Sequence, residues 1–208
     1  MYNTIIFDVD GTLIDTEKAV LGSLQKMLKA DYNRDIELDS LTFVLGIPGA
    51  ISLPKLGIHD IRRANDRWNY FMKDFSSSIE VFSGIIELLN TLDQRNTIQG
   101  IVTSKTAEEL TNDFVPFGLM NYLKYIVCAD DTEKHKPNPE PLMKFLEISG
   151  AEPTKSIYIG DTIYDYECAR DAGIDFGLAL WGCKNHEKIN AKYKFENPQD
   201  LIKLLNMA

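Results

Sequence analysis

Apolar runs that stop abruptly at polar residues recur along the chain and mark candidate strands at approximately Thr4–Val9, Thr97–Thr103, Lys124–Ala129, Ser156–Gly160 and Asp175–Leu180. Each is near-continuously apolar rather than alternating, the pattern of parallel strands covered on both faces. Helical patterns separate the last four. Gly84–Gln94 carries Ile85, Leu88, Leu89 and Leu92 at helical spacing, Thr106–Phe117 reads as a helix, Pro139–Ile148 starts behind prolines, and Ile163–Ala172 stops at Gly173. This alternation implies right-handed crossovers and an α/β class: a doubly wound, Rossmann-like parallel sheet of five or more strands.

The stretch between the first strand and Val81 breaks the alternation, with helical patterning and no convincing strand. Val20, Leu24, Met27 and Leu28 define one apolar face, and Asp60–Phe75 offers another with Trp68, Phe71, Met72 and Phe75. Residues 16–80 are therefore expected to form a small all-helical insertion into a core made of residues 1–15 and 81–208. Its polar exits, near Asp15–Thr16 and Ser76-Ser77-Ser78, suit a hinge, although a fixed helical layer on the sheet fits the same pattern.

Four strand ends carry candidate chemistry. The first strand runs into Asp8-Val9-Asp10-Gly11-Thr12, which puts two carboxylates at the carboxyl end of a buried strand, where open α/β sheets bind ligands. A turn at Gly11 can bring both acids around one site, and clustered acids call for a cation. A calcium loop is excluded, because its glycine falls at Leu13 and its final glutamate at Ala19. The second strand ends in Thr103-Ser104-Lys105 before a helix, a place where hydroxyls and backbone N–H groups hold phosphate oxygens, although simple helix capping explains the hydroxyls equally well. Lys136 stands in Lys136-Pro137-Asn138-Pro139, where proline stiffening makes it a fixed point charge; Lys134 and His135 are expected to be exposed neighbours. Finally, Gly160-Asp161-Thr162-Ile163-Tyr164-Asp165 places two acids four residues apart at a helix start. With Asp8 and Asp10 they form an oxygen-only set suited to magnesium.

In this order the four segments resemble the motifs of the haloacid dehalogenase superfamily, and Asp8–Thr16 is similar to the opening of its phosphoglycolate phosphatase-like hydrolases with a helical cap. The resemblance spans nearly the whole chain and extends to Trp181-Gly182. It implies a magnesium-dependent phosphatase that passes through an aspartyl-phosphate, with Asp8, Asp10, Thr103 and Lys136 catalytic. It further implies a metal held by Asp8, Asp10, Asp161 and Asp165, with Thr103, Ser104, Lys105 and Gly11 contacting substrate. Residues 16–80 correspond to the cap, with Leu45-Gly46-Ile47-Pro48-Gly49-Ala50 as the specificity loop. Phosphoglycolate is the first expected substrate and pyrophosphate the second. A β-phosphoglucomutase is disfavoured by the uncharged loop and by Gly160 before Asp161. A phospho-acceptor module without turnover remains the alternative from another class. Arg62, Arg63 and Arg67 are candidate contacts for a substrate carboxylate, though solvated helix charges explain them more simply.

Composition narrows the partners. A formal net charge of −9, with no Lys/Arg cluster, argues against nucleic acid, and 44% hydrophobic with 25% charged residues is the balance of an ordinary globular chain. Apolar runs are much shorter than a membrane span, and Met1-Tyr2-Asn3 has no basic signal-peptide head, so a cytoplasmic location is expected. Cys128, Cys168 and Cys183 are odd in number and widely spaced, consistent with reduced structural thiols. The expected partner is a small phosphorylated metabolite, with no nucleic acid and no membrane, bound by a monomer or weak homodimer. Gly177–Lys184 misses a phosphate-binding P-loop because Cys183 occupies the place of its lysine.

Overall fold

The structure is a computed structural model that describes residues 2–184 and 186–207. The chain runs through β1 (Thr4–Phe7), β2 (Ile14–Asp15), α1 (Glu17–Tyr32), α2 (Gly49–Lys55), α3 (Ile61–Met72), β3 (Glu80–Val81) and α4 (Ile85–Gln94). It continues through β4 (Ile98–Val102), α5 (Ala107–Asp113), β5 (Tyr125–Val127), α6 (Glu140–Ser149), β6 (Ser156–Gly160), α7 (Ile163–Ala172), β7 (Asp175–Ala179), β8 (Tyr193–Phe195) and α8 (Gln199–Met207). Six strands form one sheet in the order β5-β4-β1-β6-β7-β8, and every pair in it is parallel.

The order follows from two runs of crossovers in opposite directions. From β1 the chain moves outward through β4 to β5, then returns across β1 to β6 and continues to β7 and β8. The carboxyl ends of β4, β1 and β6 therefore border the point where the winding reverses, which is where such sheets leave a crevice. Alternation within β1 splits the core. Ile5 and Phe7 join the layer containing Leu88, Leu92 and Leu201 of α4 and α8, whereas Ile6 joins Leu142, Phe145, Cys168 and Ala169 of α6 and α7 on the other face. Gly100 is required for close packing, since a Cβ there would lie 2.3 Å from the Tyr125 carbonyl oxygen and 2.4 Å from the Phe145 ring.

The sheet of five or more strands is found with six: Tyr193–Phe195 adds to β7 at the sheet edge, three residues being too short for a clear apolar run. Two expectations are corrected. Thr106–Phe117 is not one helix. It divides into α5 and a 3₁₀ turn at Val115–Phe117, because Pro116 has no N–H to donate and restricts the residue before it. The stretch before Val81 also contains strand at both ends, for Ile14 pairs with Val81 and Asp15 with Glu80 in an antiparallel ladder.

That ladder fixes where the helical segment leaves and rejoins the sheet. Within it α1 packs on α3, and Leu24, Met27, Leu28, Leu41, Leu53 and Trp68 are buried in a continuous apolar cluster. The polar tip of Trp68 is satisfied, since its Nε1 donates to Ser23 Oγ at 2.9 Å. A capping interaction starts α3, where the Asp60 carboxylate accepts from the Arg63 N–H.

Candidate active site

The sheet reversal gathers most of the predicted residues at one rim. Asp8 follows β1 directly and donates its backbone N–H to the Ile159 carbonyl of β6 at 2.8 Å, so it stays in the plane of the sheet. The chain then turns at Gly11, whose φ of 76° is left-handed and whose missing Cβ would collide with Asp161, 2.3 Å from Oδ2. The same turn is fastened from the far end of the sequence: Trp181 Nε1 donates to the Thr12 carbonyl at 2.9 Å. A Cβ on Gly182 would lie 1.8 Å from the Gly11 carbonyl oxygen. The Trp181-Gly182 pair thus clamps the loop that carries Asp8 and Asp10. Gly182→Ala is expected to displace that loop and lower turnover about 100-fold with secondary structure retained, a result read by steady-state kinetics beside far-ultraviolet circular dichroism.

Lys136 is 1% exposed and fully engaged. Its Nζ reaches Asp8 Oδ1 at 2.9 Å, Asp165 Oδ1 at 2.7 Å and the Tyr158 hydroxyl at 3.1 Å, one acceptor for each ammonium hydrogen. Burial disfavours the charge, but Asp165 and Asp8 outweigh it and hold the lysine well above its ordinary pKa. Tyr158 was not singled out by the sequence. The available signal is a hydroxyl-bearing ring inside an otherwise aliphatic buried strand, which needs a polar partner.

Asp165 has both oxygens occupied within the protein. Oδ1 faces Lys136 and Tyr158, while Oδ2 accepts from the Thr162 N–H and hydroxyl at 3.0 and 2.6 Å, in the capping box that starts α7. The carboxylates of Asp8, Asp161 and Asp165 each place an oxygen within 4.8 Å of the others. Burial raises Asp8 to about 7, with Lys136 opposing and Asp165 and Asp10 reinforcing the shift. Burial also lifts Asp161 well above the usual carboxylate range, with Asp165 and Asp8 adding to it. One ammonium does not balance three buried carboxylates, and an all-oxygen donor set of this kind fits a hard divalent cation.

The remaining predicted residues are placed unequally. Asp10 lines the cavity, and its buried Oδ1 has no hydrogen-bond donor; Lys105 Nζ stands 3.2 Å away, near enough for ion pairing but outside hydrogen-bond geometry. Lys105, expected to touch substrate, is engaged within the protein, with Asp113 at 2.7 Å. Ser104 lines the cavity and donates to the Gly46 carbonyl at 3.0 Å, tying the rim to the helical segment. Thr103 is buried, is not among the lining residues, and accepts the Lys105 N–H at 3.2 Å. Lys134 is exposed as expected, whereas His135 is half-buried with its Nδ1 lacking a hydrogen-bond partner.

Asp8, Asp10, Gly11, Ser104, Lys105 and Asp161 border a cavity of about 150 Å³ between the rim and the helical segment, lined on the latter side by Val44–Gly49, Asn65, Trp68, Asn69 and Met72. The uncharged loop Leu45–Gly49 therefore lines the cavity together with the acids.

A doubly wound α/β sheet with an aspartate and lysine centre at its reversal, joined to the relatives that the chain matches, places it among the hydrolases. The chain belongs to the haloacid dehalogenase-like hydrolase family, whose model matches residues 5–179. A phosphoglycolate phosphatase from Xylella fastidiosa is 32% identical over 190 residues, covering 88% of this chain and 82% of the relative. A pyrophosphatase, PpaX, from Halalkalibacterium halodurans is 28% identical over 211 residues, covering 99% and 97%. A crystal structure from Lactobacillus plantarum superposes with a TM-score of 0.90 at 29% identity, covering 98% of this chain and 99% of that one. The chain is thus an enzyme of this hydrolase family with phosphatases among its relatives. Among the described residues, no helix is long and apolar enough to cross a membrane.

Proposed function

We propose that the protein is a magnesium-dependent phosphatase that hydrolyses a small phosphate monoester through an aspartyl-phosphate on Asp8. The observation that carries this reading is the placement of Asp8, buried at the rim, lining the cavity, and held through one oxygen by Lys136. Phosphoglycolate and pyrophosphate are the substrates that the relatives' names bring to the chain. The family resemblance supports the same residue roles, with residues 16–80 as the cap.

Asp8 and Asp161 would hold the magnesium, joined by the backbone carbonyl of Asp10, while Asp165 acts through Lys136. Bound magnesium supplies the positive charge that allows an anionic nucleophile to approach an anionic phosphate. With Oδ1 held by Lys136, Asp8 attacks phosphorus through Oδ2, the bond to the leaving oxygen breaks, and Asp10 gives that oxygen a proton. Asp10 then takes a proton from water as the water oxygen attacks phosphorus, and inorganic phosphate leaves Asp8 as a carboxylate that Lys136 stabilises. By family resemblance the Ser104 N–H and the Thr103 hydroxyl would hold the phosphoryl oxygens; the Gly11 N–H, expected to contact substrate, is instead committed to the Ile14 carbonyl at 2.9 Å, and the Lys105 N–H to Thr103 Oγ1 at 3.2 Å. The stationary Asp8–Lys136–Asp165 arrangement means that little reorganisation is needed during transfer.

The metal dependence has a worked pH signature. Because Asp8 rises to about 7 in the folded chain, it binds a proton between about pH 4 and pH 7 that the unfolded chain has released. For this group, metal-free stability falls as pH rises through that window, and magnesium must displace the same proton. The expected results are a larger magnesium-induced rise in Tm at pH 8 than at pH 6, and a half-saturating magnesium concentration for p-nitrophenyl phosphate turnover that increases about fivefold from pH 7 to pH 6. Turnover that survives complete chelation, or a Tm indifferent to magnesium at both pH values, contradicts the metal assignment.

A further inference from the structure

Glu109 sits where the core and the helical segment face each other across the cavity. It lies in the first turn of α5, and its Oε2 accepts the Thr106 N–H at 2.9 Å in a capping box. Its other oxygen, Oε1, accepts two donors from α3, the Nδ2 groups of Asn65 at 3.2 Å and Asn69 at 3.1 Å. Asn65 and Asn69 are four residues apart on α3 and so share one helix face. All three side chains line the same cavity as Asp8 and Asp10. An ionised carboxylate offers about four acceptor positions, so three donors leave Glu109 one more. Each asparagine keeps a carbonyl acceptor beside it.

Charge on this wall is one-sided. Besides Asp8, Asp10 and Asp161 the cavity is bordered by Asp15, Glu17, Glu109 and Asp113. Among the described lining residues the cations are Lys105 and Lys184, and each is already paired: Lys105 with Asp113 at 2.7 Å and Asp10 at 3.2 Å, Lys184 with Glu17 at 2.8 Å. The α3 arginines point their charge elsewhere. Arg67 pairs with Asp31 at 2.6 Å and lies over Tyr70 and Phe71, while Arg62 and Arg63 are exposed and do not line the cavity. Lys136 and magnesium account for one phosphate. A second anionic group on the substrate, either a carboxylate or another phosphate, would enter beside Glu109 and Asp113 with no uncommitted cation to meet it, and like-charge contact of this kind is a strong means of rejection.

We propose that the cavity selects phosphate monoesters whose leaving group is uncharged or cationic and carries a hydrogen-bond donor, with Glu109 as the residue that sets this preference. The inference rests on the phosphatase reading above and departs from phosphoglycolate as the substrate. Glu109, Asn65 and Asn69 supply acceptors for the leaving group's hydroxyl or ammonium hydrogens.

A matched series tests it, with the magnesium-loaded full chain and three esters of equal length: phosphoglycolate, 2-hydroxyethyl phosphate and 2-aminoethyl phosphate. p-Nitrophenyl phosphate serves as the reference for phosphatase activity. In the wild-type chain, kcat/KM for the hydroxyethyl and aminoethyl esters is expected to exceed that for phosphoglycolate by at least about tenfold. Glu109→Gln, which keeps one acceptor and the capping geometry while removing the charge, is expected to narrow the ratio about tenfold, chiefly by lowering KM for phosphoglycolate. The wild-type series decides the charge preference without any variant. Phosphoglycolate turned over as well as the other two, with the reference ester active, overturns the selectivity and leaves the phosphatase reading standing. A ratio unchanged in Glu109→Gln overturns the assignment to Glu109. No turnover of the reference ester overturns both readings.

Discussion

Asp8→Asn is expected to abolish phosphate release, by roughly four to six orders of magnitude in kcat, while the chain remains folded. The change removes the attacking oxygen but little else. Asparagine has the same shape, and its carbonyl can still accept from Lys136, which keeps Asp165 and the Tyr158 hydroxyl as partners. The electrostatics favour the variant's stability. Burial already strains the ionised form of Asp8, so a neutral side chain removes a destabilising charge, and above pH 7 the metal-free Tm is expected to stay level or rise. Phosphate release with magnesium, measured beside thermal melting, checks both statements. Appreciable turnover in a clean preparation removes Asp8 from the nucleophile's role.

Lys136→Met is expected to damage both activity and the fold. The ammonium is the shared partner of Asp8, Asp165 and Tyr158 in a buried cluster, so its removal leaves two carboxylates without compensation. Breaking a buried ion pair from one side typically costs about 3–5 kcal/mol. For a chain of this size the corresponding fall in Tm is roughly 6–20 °C. Turnover is lost with it, because Asp8 is no longer oriented and its carboxylate is no longer stabilised as a leaving group. Adding Asp165→Asn in the same background removes one of the stranded charges. Part of the lost stability is then expected to return with none of the activity, which separates the lysine's structural contribution from its chemical one. A single variant with native Tm and near-native turnover would show that Lys136 is peripheral.

The parts of this molecule that read directly from the sequence are those whose cause is local. Five strands declare themselves because both faces of the sheet are covered, and each leaves an apolar run such as Ile5-Ile6-Phe7 or Ile157-Tyr158-Ile159. Asp8, Asp161 and Lys136 are legible because each lies next to a strand end or a proline-stiffened turn. The two-residue strands β2 and β3 are not, since their pairing joins Asp15 to Glu80 across the entire helical segment. Tyr193-Lys194-Phe195 is similarly silent, a three-residue edge strand whose existence depends on β7 beside it.

The same distinction runs through the site. Tyr158 completes the shell of a lysine 22 positions away, and Glu109 gathers donors from 44 and 40 positions away. No local spacing encodes such contacts. Trp181 and Gly182 stand out in the sequence only through family likeness, and the structure supplies their physical reason in the Thr12 hydrogen bond and the close approach of Gly11. Lys105 shows the opposite lesson. The family resemblance implies a substrate contact for it, but Asp113, eight residues on, and Asp10 from another strand end already claim its charge.

The proposed mechanism requires a covalent bond between phosphorus and Asp8. Acid quenching of the magnesium-loaded enzyme within its first turnover of p-nitrophenyl phosphate, followed by peptide mass spectrometry, measures this directly. The expected result is a phosphoryl group on the amino-terminal peptide, located at Asp8 by fragmentation and absent from Asp8→Asn. Turnover at a normal rate with Asp8 unmodified at every quench time, or a phosphoryl group on a different residue, would contradict it.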